Sequence, residues 1–158
     1  MATLAGTQTD FLDAISAIIE LDYDAIKAYQ AAIDRLDDEE YQEILQEFME
    51  DHRRHIDDLS GYLTEQGQTP PFKSDLKGIL TQGKVVIAAL TTDHAILQAM
   101  RSNEEDTNKA YERIVSHPAK PDELSQVLSQ ALSDERRHRN WFLEEINMDA
   151  DDQETEKR

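Results

Sequence analysis

Asp51-His52-Arg53-Arg54-His55 returns, with one residue changed, as Asp134-Glu135-Arg136-Arg137-His138. Each copy carries two metal-ligand side chains three residues apart, His52 with His55 and Glu135 with His138, a spacing that puts both on one face of an α-helix. The copies lie 83 residues apart (134 − 51), and a second echo, Lys27-Ala28-Tyr29 against Lys109-Ala110-Tyr111, lies 82 apart (109 − 27). The repeat predicts a duplicated helical hairpin, and so an all-α four-helix bundle with metal-binding side chains in its core.

Working outward, apolar residues recur at heptad spacing from the N-cap candidate Asp10: Ile15, Ile18, Ala25, Tyr29, Ala32 and Leu36, with Asp22 interrupting the stripe. After Asp37-Asp38 a second helix reads Tyr41, Leu45, Phe48, then His52 and His55, then Leu59 and Tyr62, and stops near Gly67. Thr69-Pro70-Pro71 opens a long connection, residues 67 to 92, in which Leu76, Ile79, Leu80 and Val85 to Leu90 predict a short apolar helix. The third helix starts near Asp93, carries Leu97, Met100, Glu104, Thr107, Tyr111 and Ile114, and ends before Pro118. The fourth starts at Pro121 and carries Leu124, Leu128, Ala131, Glu135, His138 and Phe142. Residues 1–9 read as an extension and 147–158 as a disordered acidic tail, leaving 10–146 as the bundle.

Asp22 lies 15 residues before Asp37, and His52 and His55 lie 14 and 17 after Asp38, so at ~1.5 Å per residue all three fall at one height in a hairpin. Glu104 and the Glu135/His138 pair flank the second turn in the same way. Six candidate ligands, Asp22, His52, His55, Glu104, Glu135 and His138, thus share one layer. Burying three carboxylates and three imidazoles without compensation is prohibitive. A pair of divalent ions would compensate them directly, and a hydrogen-bonded network of the same groups is the rival explanation.

Composition narrows the function. A single domain of 158 residues buries enough surface to fold without disulfides or metal. The net charge of −18 argues against nucleic acid and anionic membrane as partners, and reads first as solubility. The absence of cysteine excludes disulfides, thiolate catalysis and iron–sulfur clusters. With no signal-like start and no long apolar stretch, a cytoplasmic location is expected.

In this register the chain resembles the ferritin-like di-iron superfamily, rubrerythrin-like proteins in particular. The resemblance spans roughly residues 10 to 146 and rests on Glu135 and His138 within the DERRH stretch, and on Asp22 and Glu104, each seven residues before a tyrosine (Tyr29, Tyr111). Such bundles take one Glu from each of two helices and a Glu-x-x-His pair from each of the other two. The resemblance implies two ferrous ions, with zinc or manganese as substitutes, and ferroxidase or peroxide-reducing activity. It makes Glu135 the bridging ligand, Asp22 and Glu104 terminal carboxylates, and His55 and His138 terminal imidazoles. The nearest likeness is to small bacterial ferritin-like proteins of unknown function, some associated with stress responses.

Two positions depart from that pattern. His52 stands where the family usually has a bridging Glu, and Asp22 replaces a longer Glu. Two divalent ions among three acids would keep about one unit of positive charge on formal counting. A non-catalytic structural bundle holding one ion or none is therefore the alternative. Around the site, Asp51 and Asp134 read either as groups orienting the imidazoles, paired with Arg54 or Arg137, or as ordinary solvated ion pairs. Tyr29 and Tyr111 read as packing rather than hydrogen-bond donors, Trp141 and Phe142 as core, and His94 and His117 as helix-end residues. The Val85 to Leu90 segment reads equally as a homodimer contact or as packing on its own bundle.

Overall fold

The computed structural model describes residues 3–72 and 87–156, and side chains as far as Met148. Among these residues the chain forms four long helices and no strand: α1 (Phe11–Arg35), α2 (Glu39–Glu65), α3 (Asp93–Val115) and α4 (Ser125–Glu156), the last preceded by a 3-10 turn, Asp122–Leu124. Their starts are chemically marked. Asp10 accepts a hydrogen bond from the Asp13 N–H (2.9 Å), Asp38 from Tyr41 (3.1 Å) and Thr92 from Ala95 (3.2 Å), each satisfying a first-turn donor that the helix itself cannot. Gly67, at φ +77°, ends α2 in the left-handed conformation, with Gln68 N–H returning to Leu63 O at 2.9 Å.

The helices close into an antiparallel four-helix bundle. The hairpins α1/α2 and α3/α4 pack closely, α1 also lies against α3, and α2 lies more loosely against α4. Asp93, at the start of α3, fixes the crossing by accepting from the backbone N–H groups of Asp37 (2.9 Å) and Asp38 (3.0 Å). The buried apolar residues fall into two bodies. One gathers Phe11, Ile15, Ile18, Leu59, Ile114 and Leu128 towards one end; the other gathers Leu45, Phe48, Met49, Leu97, Met100 and Phe142 towards the opposite end. Each large side chain removed from water contributes roughly 1.5–3 kcal/mol, and the polar layer lies between the two.

The tail expected to be disordered continues α4 as far as Glu156, because its acidic residues include no Gly or Pro to stop a helix. The N-terminal extension is docked against the end of α3: Arg113 donates to the carbonyls of Thr3 (2.7 Å) and Ala5 (3.1 Å), and His117 Nε2 lies 2.8 Å from Gln8 O. Trp141 is only partly buried, whereas Phe142 is fully so. Most of the short apolar helix expected between residues 67 and 92 lies outside the described residues, although Ile87 is buried in the second apolar body. None of the described helices is long and apolar enough to cross a membrane.

Candidate metal centre

All six expected residues meet in one layer, and all are buried: Asp22, His52, Glu135 and His138 at 0% exposure, Glu104 at 1% and His55 at 3%. They form two overlapping groups, Asp22/His52/His55/Glu135 and His52/Glu104/Glu135/His138, each of which offers ligand atoms within 4.8 Å of one another. In the first, Asp22 Oδ1 is 2.9 Å from His52 Nδ1 and 3.9 Å from His55 Nδ1, and Glu135 Oε1 is 3.4 Å and 3.3 Å from the same nitrogens. In the second, Glu104 Oε1 is 3.4 Å from His52 Nε2 and 3.7 Å from His138 Nδ1, which is 3.8 Å from Glu135 Oε2.

Around this layer the hairpins brace each other crosswise. His55 Nε2 lies 3.0 Å from Asp134 Oδ2, and His138 Nε2 lies 2.8 Å from Asp51 Oδ2. A carboxylate accepts only, so each Nε2 carries a proton and each Nδ1 faces inward, towards the other ligands. Arg54 donates to Asp134 and Arg137 to Asp51, again from one hairpin to the other. The within-helix pairs foreseen from the sequence exist as well, Arg54 to Asp51 at 3.1 Å and Arg137 to Asp134 at 3.5 Å. The orienting role and the ion pair are therefore combined in one arrangement.

The tyrosines are more than packing. Tyr29 donates to Glu104 Oε1, and Tyr111 donates to Asp22 Oδ2 at 2.5 Å, each clamping a carboxylate of the other hairpin. Two further polar residues were not singled out in the sequence as serving the site. Thr107 donates to Glu104 Oε2 at 3.0 Å, and the Asn108 amide ties Glu104 O (2.8 Å) to Glu135 O (2.9 Å). Both sit one turn after Glu104, where a small polar residue on the inner face is the only signal available.

Electrostatics follow from this crowding. Burial alone would strip protons from the imidazoles, but the surrounding carboxylates outweigh it. They raise His52 to about 9 through Glu135, Asp22 and Glu104, His55 to about 12 through Asp134, Asp22 and Glu135, and His138 to about 11 through Asp51, Glu104 and Glu135. Burial likewise opposes ionisation of Asp22 and Glu104, and hydrogen bonds from the imidazoles overcome it and hold both carboxyls below the ordinary range. Asp51 falls to about 2, because His138, Arg137 and Arg54 together outweigh its burial. Tyr29 and Tyr111 are pushed well above the usual phenol value by burial and by neighbouring carboxylates, and both stay protonated donors.

Fold and layer together define an all-helical bundle with a buried carboxylate–imidazole cluster able to hold metal. Residues 10–117 match the family described as a domain of unknown function (DUF2383), and the chain belongs to that family. The match takes in Asp22, His52, His55 and Glu104 and stops before α4, which supplies Glu135 and His138. No curated protein and no solved structure matches the chain.

Proposed function

We propose that this is a ferritin-like metal-binding protein holding a pair of divalent ions, iron foremost, between its four helices. The observation that carries the reading is a set of buried atoms with no hydrogen-bond partner: Nδ1 of His55, Nδ1 of His138, and both carboxylate oxygens of Glu135. Orphaned buried polar atoms are costly, and here each orphaned nitrogen lies near an oxygen of Glu135, at 3.3 Å for His55 and 3.8 Å for His138. The donors fit the group. Neighbouring ligand atoms in the two sets stand 2.9 to 3.9 Å apart, near the ~3.0–3.4 Å edges of a polyhedron with ~2.1 Å metal–ligand bonds. Mixed carboxylate and imidazole ligands suit iron, zinc and manganese.

Asp22 and His55 serve one subsite, Glu104 and His138 the other, and Glu135 faces both. Asp134 and Asp51 hold the imidazoles in the tautomer that binds, Tyr111 and Tyr29 fix the carboxylates, and Phe48, stacked on His138 with ring centroids 4.2 Å apart, helps exclude water. A bound ferrous pair would supply the electrons for reducing dioxygen or peroxide, a ferroxidase or peroxide-reducing activity.

One observation favours a second reading, a non-catalytic bundle with one ion or none. His52 Nδ1 is hydrogen-bonded to Asp22 at 2.9 Å and occupies that carboxylate. Elemental analysis of protein purified without chelator or metal-affinity resin, followed by anaerobic ferrous loading and exposure to oxygen, separates the two. Two irons per chain and a near-ultraviolet charge-transfer band are expected; one zinc, or no metal, selects the second reading.

A further inference from the structure

We propose that His52 bridges the two metal subsites, with Nδ1 binding the ion held by Asp22 and His55 and Nε2 the ion held by Glu104 and His138. The proposal rests on the paired site above and deepens it by assigning the side chain whose counterpart in the other hairpin is Glu135. His52 belongs to both ligand groups, as Glu135 does. Its ring nitrogens address different acids: Nδ1 is 2.9 Å from Asp22 Oδ1 and 3.4 Å from Glu135 Oε1, whereas Nε2 is 3.4 Å from Glu104 Oε1. The ring is fully buried, so neither nitrogen has an alternative partner in water.

The chemistry agrees with the placement. A bridging carboxylate offers one oxygen to each ion, and an imidazole ring spanning the same gap offers one nitrogen to each. Binding through both nitrogens releases both ring protons to solvent and leaves an imidazolate with one negative charge. Three carboxylates and one imidazolate then carry four negative charges against the four positive charges of two divalent ions. The surplus of one positive charge, which a neutral His52 would leave, is removed. The surrounding pairs Asp51/Arg137 and Asp134/Arg54 are each neutral and do not alter the sum. Hard, oxygen-seeking ions such as Mg2+ and Ca2+ would gain little from this nitrogen, so the bridge selects divalent transition ions that accept imidazole.

The bridge sets a distance. Metal–nitrogen bonds of ~2 Å on opposite sides of the ring put the ions roughly 6 Å apart, whereas paired sites of the usual kind hold them about 3.5–4 Å apart. The full-length chain, loaded with Zn2+ and examined by X-ray absorption, should hold two zinc ions with no metal–metal scattering in the 3.5–4 Å range. Loaded with Cu2+, it should give an exchange-coupled pair whose low-temperature paramagnetic signal falls well below that of two isolated copper ions. His52→Gln should abolish the coupling, and His52→Glu should bring in the short zinc–zinc distance, circular dichroism confirming that each variant is folded. A short zinc–zinc distance in the natural protein, or coupling that survives His52→Gln, overturns the bridge. One zinc per chain overturns both the bridge and the paired site and leaves only single-ion binding standing, and no zinc at all overturns metal binding altogether. The measurements on the natural protein decide the matter even if a variant fails to fold.

Discussion

The two hairpins use the same outer residues and different inner ones. Asp51, Arg54 and Tyr29 in the first are matched by Asp134, Arg137 and Tyr111 in the second, and each of these reaches across to serve the opposite hairpin. Two inner positions diverge: Asp22 corresponds to Glu104 and His52 to Glu135. Glu104 also has Thr107 and Asn108 one turn on, where the corresponding residues of α1 (107 − 82 and 108 − 82) are Ala25 and Ile26. The frame that aims the imidazoles is kept twofold, and the halves differ in the carboxylates and imidazoles of the shared layer and in what supports them. Orientation imposes the same demand on both sides, whereas charge and reach can be shared unequally.

The largest effect that would sharpen this comparison is that of pH, because the first hairpin brings two imidazoles and the second one. In the metal-free protein all three are protonated at neutral pH, and His52, at about 9, is the first to lose its proton. Ions must displace those protons, so affinity rises with pH by about tenfold per unit for each proton released, which titration calorimetry in buffers of different ionisation enthalpy would count. Metal-free stability runs the other way. The imidazole contribution is complete below the unfolded value of 6.5 and is lost as pH rises through about 9 and beyond; the carboxylate contribution is complete above ~4 and is lost towards 2. Chelated protein should therefore resist urea best between about pH 4 and 6.5.

Next in size is Glu135→Ala. It removes the carboxylate that faces both subsites and should weaken both ions by more than the ~10–100-fold expected of an orienting residue. If one ion keeps its affinity, Glu135 is not shared. Asp51→Asn and Asp134→Asn should each cost about 10–100-fold in metal affinity and should agree within a factor of about three; a wider gap would break the twofold frame. The smallest effects belong to Tyr29→Phe and Tyr111→Phe, about 1–2 kcal/mol of stability each in urea unfolding. Tyr29→Phe should be the milder, because Glu104 keeps its hydrogen bond from Thr107.

Much of this architecture could be read from the chain. Period-3.6 stripes, Asp10 as a cap, the break at Asp37-Asp38 and Gly67 as a stop mark the helices, because a buried face and orphan amides impose local requirements on residue type. The six inner residues could be read for a related reason: a charged group in an apolar stripe is conspicuous, and equal distances from a turn place such groups at equal depth. What crosses between hairpins left no local trace. Arg54 beside Asp51 is visible as a neighbour one turn away, but its bond to Asp134 depends on how far apart α2 and α4 settle. A tyrosine in a seam looks the same whether or not its hydroxyl finds an acid, so Tyr29 and Tyr111 read as packing. Residues 147–156 lack an apolar stripe yet continue a helix already begun, which needs only the absence of a breaker.

The two apolar bodies on either side of the polar layer have a consequence for ion choice. Ile18 and Leu59 in one body and Leu45 and Met100 in the other are fully or almost fully buried between the helices without any ion. The chamber is thus a stiff mould rather than a pouch: a guest of the wrong radius must bear the misfit itself, and loaded and empty crystals should superimpose along the whole length of the rods.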